Sequence, residues 1–152
     1  MTSINSFPIG TDLSIYTIKP RQTTKTPIRP CFHFILDNSA SMGRNTDTAR
    51  NCYATLLDGS TSYLYPFDTT ATMYTVTSES SMRSIQLPFQ RQTNITAGLE
   101  LAIKNICINT NCNNTLHILV LLTDGGHNTG PCPINALPEL RSRLNTQAPL
   151  CK

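Results

Sequence analysis

The stretch CFHFILDNSASMG, residues 31–43, decides how the rest of the chain is read. Its first six residues form a short, largely apolar run that stops at Asp37, and Asn38, Ser39, Ala40 and Ser41 follow. A run of this kind reads as a strand buried on both faces, with an oxygen-rich loop at its carboxyl end. LHILVLL (116–122) has the same form and runs into Thr123, Asp124, Gly125 and Gly126. Burial on both faces is what a parallel sheet covered by helices imposes. The two runs therefore predict parallel strands, adjacent or nearly so, with both polar loops at one edge of the sheet.

Working outward, Ala49, Cys52, Tyr53, Leu56 and Leu57 fall at i, i+3, i+4, i+7 and i+8. That spacing predicts a helix, with Asn45 or Thr46 to cap it and Gly59 just past its end. Leu99, Ala102, Ile103, Ile106 and Cys107 repeat the pattern, and Glu100 precedes Lys104 by one turn. Between these helices, TSYLYPF (61–67) and ATMYTVT (71–77) read as two strands joined tightly at Asp68–Thr70. Pro66 argues against a fully paired central position there. Leu137, Leu140 and Leu144 mark a third helix, with Pro133 or Pro138 near its start. This alternation predicts an α/β fold: a Rossmann-like, doubly wound, mostly parallel sheet with helices on both faces. Ahead of it, DLSIYTI (12–18) reads as a short strand with Leu13 and Ile15 on one face, and KPRQTTKTPIRP as an exposed connector. The organisation is thus an N-terminal strand and Pro/Thr-rich connector over 1–29 and a main domain over 30–152.

At 152 residues the chain fits one domain. Its formal charge is +3 and only 14% of residues are charged, with Thr, Ser and Asn filling polar positions. Lys19, Arg21, Lys25 and Arg29 cluster without an aromatic stacking partner, which reads as a solvated linker and not a nucleic-acid contact. No run approaches the ~20 apolar residues of a membrane span. The start, MTSINSFPIGTDLSIY, lacks a basic segment followed by an apolar core, so a cytoplasmic location is expected, or an extracellular one if the chain is a fragment of a secreted protein. Cys31, Cys52, Cys107, Cys112, Cys132 and Cys151 include no CxxC, and no His stands at zinc-finger spacing from a cysteine pair. Reduced thiols are expected, with Cys107–Cys112 the best candidate exception, and Cys31, Cys52 and Cys107 read as small core residues. His33 and His117 read as satisfied core residues and His127 as a loop residue at the rim of the site. Sequons occur at Asn94 and Asn113, and a glycan on the first would block that site.

Three polar loops should meet at the carboxyl ends of the strands, where ligands gather in such sheets. They are Asp37–Ser41, Gln92–Asn94 and Thr123–Gly126. Together they offer two carboxylates, Asp37 and Asp124, and three hydroxyls, Ser39, Ser41 and Thr93. Hard oxygen donors in that mixture suit Mg2+, with Mn2+ and Ca2+ as weaker candidates. Two carboxylates at most neutralise a divalent ion. If either acts through water the ion stays effectively positive and attracts an outside anion, most simply a partner's Asp or Glu.

These motifs resemble a known family. Asp37-x-Ser39-x-Ser41 with Met42 and Gly43 resembles the opening of the metal-ion-dependent adhesion site of von Willebrand factor A domains. Thr93-Asn94-Ile95, with Ala97, Gly98 and Leu99 behind it, is similar to that family's threonine loop. Leu121-Leu122-Thr123-Asp124-Gly125 resembles its closing aspartate loop, and LSIYTIKP and YLYPFD are similar to typical neighbours. The resemblance covers roughly residues 12 to 145. It implies that Ser39, Ser41 and Thr93 touch the metal, with Thr96 as a rival to Thr93. Asp37 and Asp124 would act largely through bridging waters. It implies a protein–protein interaction module, not an enzyme. Asn38 and Ala40 depart from the family's usual apolar residue and glycine, which bears on loop shape. The family continues with a further strand and helix, so a trimmed variant or a piece of a larger multidomain chain or complex is expected.

The competing readings are a haloacid-dehalogenase-like phosphatase and a scaffold of the same fold with a non-functional site. The phosphatase needs an acid two residues after its nucleophile and a later acidic pair for Mg2+; Ser39 and the Asp124 glycines stand there instead. No GxSxG elbow occurs. The complete five-residue set argues against the silent scaffold.

Overall fold

The computed structural model describes residues 3–8, 14–19, 28–87, 92–108 and 115–147. The first apolar run forms β3 (Arg29–Asp37), which begins two residues earlier than its apolar core because Pro30 is tolerated at a strand start. It lies between β4 (Ser62–Phe67) and β6 (Thr115–Leu122) and is parallel to both. The two apolar runs are thus adjacent and parallel, with Arg29 opposite Thr115 and Leu36 opposite Leu122. β5 (Tyr74–Val76) pairs antiparallel with β4, giving the order β5-β4-β3-β6. Helices α1 (Asn45–Ala54), α2 (Glu79–Ser84), α3 (Ile95–Ile108) and α4 (Pro133–Gln147) complete this α/β unit. Separately, β1 (Ser3–Pro8) and β2 (Ser14–Lys19) form an antiparallel pair. Leu13, residues 20–27, Cys112, Asn113 and Cys151 lie outside the described residues.

Strand alternation divides the core in two. Phe34 and Leu36 face one way and pack with Met42, Ala49, Tyr53 and Ala54 around α1, and with Met82 of α2. Ile35 faces the other way and packs with Tyr65, Phe67, Ile95 and Ala102 beneath α3. The Tyr53 hydroxyl donates toward Ile35 O at 2.9 Å and Val120 O at 3.1 Å, tying α1 to both β3 and β6. α4 starts at Pro133, where a missing N–H costs nothing, keeps Pro138 inside, and buries Leu140.

Several sequence expectations need correction. α1 ends at Ala54, so Leu56 lies beyond it and is exposed; Cys52 falls on the outer side of the helix and is exposed too, and Asn45 and Thr46 are its first residues and not its cap. α2 was not anticipated; Ser78 and Ser81 form a reciprocal capping box at its start. Pro66 pairs opposite Leu36 in an interior strand, but β5 pairs only with Ser62–Leu64, so Pro66 needs no donor on that side. β6 is an edge strand among the described residues, and Leu116, Leu119 and Leu121 are exposed instead of doubly buried.

α3 can lie close to the sheet because of Gly98. A Cβ there would sit 2.7 Å from Phe67 Cδ1 and 2.8 Å from Ile35 Cγ2. Helix propensity alone favours Ala over Gly by about 1 kcal/mol. Overpacking costs about 1–3 kcal/mol, and here it wins. Gly98→Ala should therefore lower the unfolding free energy in urea. A more stable variant would mean that the helix stands farther from the sheet.

A polar ladder runs through the α3 side. His33, 1% exposed, places Nδ1 2.9 Å from Tyr65 Oη and Nε2 2.8 Å from His117 Nδ1. The Asn105 amide donates to Tyr65 Oη at 2.6 Å. Burial, followed by the neighbouring His117, pushes the His33 imidazolium down from 6.5 to about 3. The unfolded chain therefore takes up this proton first. The contribution of His33 is complete above about pH 6.5 and is lost as pH falls toward 3. One proton corresponds to about 1.4 kcal/mol per pH unit. Unfolding free energies from urea titrations with a chelator between pH 7.5 and 4.5 should fall by up to that slope, and His33→Gln should flatten it. An unchanged slope would mean that native His33 titrates normally.

Candidate metal centre

The chain leaves β3 for α1 on one face and leaves β6 for α4, which packs against α3 on the other face. The loops after β3 and β6 therefore diverge, leaving a crevice at their carboxyl ends. Asp37 ends β3 at 0% exposure. Its Oδ1 accepts the Ser39 N–H at 2.9 Å, and its Oδ2 accepts the Thr123 hydroxyl at 2.6 Å across to the end of β6. Ser39 is buried, and its Oγ lies 3.0 Å from Oγ of exposed Ser41.

Thr93, buried just before α3, is held from the other side. Its N–H donates to Asn128 Oδ1 at 2.8 Å, and its carbonyl accepts the Asn128 N–H at 3.1 Å. The Thr123–Gly126 segment is thus joined through Asn128 to the threonine loop and through Thr123 to Asp37. Asn94 donates its N–H to Asp68 O at 2.6 Å, and Asn38 donates to Phe67 O at 2.8 Å, which ties both loops to the end of β4. Asp124 is exposed, and its Oδ1 accepts the Gly126 N–H at 3.3 Å. The rival hydroxyl, Thr96, is fully buried and donates to Pro131 O at 2.6 Å, so it is committed elsewhere.

The Asn94 side chain is also committed. It accepts the Ala97 N–H at 3.1 Å, capping α3, and donates to Thr69 O at 3.1 Å. Gly130, at φ +78°, lies so close that a Cβ would meet the Asn94 side chain at 2.5 Å. A glycan on Nδ2 would collide with this close contact and displace the bond to Thr69 O.

Among the described residues, the ion pairs are Arg50–Asp47, Arg83–Glu79 and Arg143–Glu139, and none involves Asp37. A carboxylate removed from water costs several kcal/mol unless hydrogen bonds or a cation compensate it. Asp37 has two hydrogen bonds and no side-chain cation. The groove of about 550 Å3 beside Ser39 contains Arg50 and Arg83, but both guanidiniums are paired with carboxylates. Asp37, Ser39, Ser41 and Thr123 form one connected set of oxygens, hydroxyl and carboxylate mixed, and that chemistry fits a hard divalent cation.

Sequence reasoning assigned no role to Thr123 beyond the motif, nor to Asn128 or buried Asp68. Asn128 carries no local signature, since its contact to Thr93 spans 35 residues. Both ring nitrogens of His127 are shielded from solvent without a hydrogen-bond partner among the described residues; nothing in the structure accounts for this.

No family model and no curated protein matches the chain. The fold itself defines the class: an α/β protein with an open, four-stranded, mostly parallel sheet and helices on both faces, compatible with a Rossmann-like arrangement.

Thr123→Val keeps the shape and removes the donor to Asp37 Oδ2. Leaving a buried acceptor unpaired costs about 1–3 kcal/mol, and more where it is charged. Denaturant titration should register that loss. A neutral substitution would mean that another group or solvent already satisfies the carboxylate.

Proposed function

We propose that the chain is a von Willebrand factor A-type domain that holds Mg2+ at its crevice and binds a protein partner through it. The observation that carries this reading is Asp37: a fully buried carboxylate, without an ion-pairing side chain, bonded to the loop that follows β6. Ser39, Ser41 and Thr93 would supply neutral ligands, and Asp37 and Asp124 would hold waters and hydroxyls in place. The bound ion would supply positive charge to an outward-facing anion, a partner's Asp or Glu. The neighbouring guanidiniums are already paired, so they contribute little to that attraction.

The phosphatase reading lacks support by comparison. Both Asp37 oxygens accept hydrogen bonds and the side chain is fully buried, which leaves it poorly placed for attack, and Ser39 provides no general acid.

By linkage, metal and partner must raise each other's affinity by the same factor. Mg2+ should raise the thermal midpoint of the native protein, and Asp37→Asn or Ser39→Ala should abolish the rise. In a screen of immobilised acidic peptides, capture should require Mg2+ and fail when the peptide Asp or Glu is replaced by its amide. His127→Ala should change either binding little. Capture that persists in a chelator would rule out a metal-bridged contact, whatever the fold.

A further inference from the structure

The amino-terminal half of the β3–β6 ladder carries a different set of donors. Cys31 and His33 lie on the α3 face of β3, and the register sets Cys31 opposite His117 of β6. Cys31 Sγ is 3.7 Å from His33 Nε2, which is 2.8 Å from His117 Nδ1. One ligand atom from each lies within 4.8 Å of the other two. We propose that Cys31, His33 and His117 form a second metal site, selective for zinc-class ions that favour nitrogen and sulfur. Asp37 is six residues along the strand, which places the two sites roughly 20 Å apart at about 3.3 Å per residue.

Zinc bonds of about 2.0–2.1 Å to nitrogen and 2.3 Å to sulfur set tetrahedral N···N and S···N separations of roughly 3.3 and 3.5 Å. The sulfur–imidazole separation is close to that value. The two imidazoles must part by about 0.5 Å, exchanging their mutual hydrogen bond for two bonds to the ion. His117 is on the edge strand and half-buried, where such a movement meets least resistance.

The surroundings favour ligation. His33 Nδ1 faces Tyr65 Oη; with Nδ1–H donated there, the Nε2 lone pair points at the cluster. Asn105 fixes that hydroxyl in turn. Burial keeps both imidazoles in the neutral form that binds metal. The Cys31 thiol lies 3.5 Å from Thr61 O. Binding replaces the thiol proton by the ion and releases it to solvent, so one proton leaves for each metal bound. A groove of about 540 Å3, lined by Ser60, Thr61, Tyr63 and Thr115 among others, adjoins the three donors and leaves room for water as a fourth ligand.

The competing account is a metal-free ladder in which His33 stacks on Tyr63 and Tyr65, with centroids 5.3 and 5.8 Å apart. Titration of the reduced, chelator-stripped full chain with Co2+ separates the two. With Mg2+ in excess to hold the crevice, the expected result is one cobalt per chain, a thiolate-to-cobalt charge-transfer band, release of about one proton, and displacement by Zn2+. Asp37→Asn and Cys52→Ser should retain the band, while Cys31→Ser and His117→Asn should lose it. Tyr65→Phe, which removes the oxygen facing His33 Nδ1, should weaken Zn2+ binding about 10–100-fold with stoichiometry unchanged. If the ligand variants fail to fold, imidazole resonances of the wild-type chain are followed during Zn2+ addition. Absence of the band, its survival in Cys31→Ser or His117→Asn, or resonances of His33 and His117 that do not move would each overturn the site.

Discussion

The ladder between β3 and β6 is the constraint on which the rest depends. A single register, Arg29–Leu36 against Thr115–Leu122, brings Asp37 to Thr123 at one end and Cys31 to His117 at the other. Because side chains alternate, a slip of one residue would send His33 and Ile35 to the α1 face and break both ends at once. Tyr53 reinforces this register from α1 by reaching carbonyls on both strands. Packing beneath α3 reinforces it from the other side. The chemistry at each end thus follows from a pairing that is itself held by apolar burial.

Much of this was legible because it was local. The double-sided apolar character of CFHFIL, its stop at Asp37, and the 3.6-residue period of α3 are all properties of short windows. They suffice for the parallel pairing and for the end of the sheet where the polar loops gather. What escaped was non-local or weakly patterned. The Cys31–His117 juxtaposition needs the register, and each residue alone looks like an ordinary buried side chain. Asn128 matters only because it reaches Thr93. α2 is six residues, half of them serine, with one apolar side chain, and its one signal is the Ser78–Ser81 cap. On β6, an apolar run implies burial on both faces, but Leu116, Leu119 and Leu121 of this edge strand are exposed.

The two ends of the ladder also differ in how they treat charge. At the carboxyl end a buried carboxylate keeps its hydrogen bonds and draws on hydroxyl-rich loops, an environment that tolerates a hard cation with its waters. At the amino end the polar groups are neutral and interlocked, and His33 lies against the rings of Tyr63, Tyr65 and His117. The same α/β framework therefore presents an oxygen-lined crevice at one end and a pocket of nitrogen and sulfur at the other. Neither depends on the exposed side-chain ion pairs, which lie on helix surfaces where such pairs contribute little.

Gly98 has a consequence for how the sequence can vary. Its missing side chain lets Phe67 and Ile35 fill the space under α3, so these three positions share one volume. A larger residue at 98 is compatible with the fold only if Phe67 or Ile35 shrinks, and substitutions there should appear as compensated sets. Phe67 also offers its carbonyl to Asn38, in the loop that carries Ser39. A change in helix packing would thus be inherited by the crevice as altered loop geometry, making an apparently silent core position a restraint on what the surface can recognise.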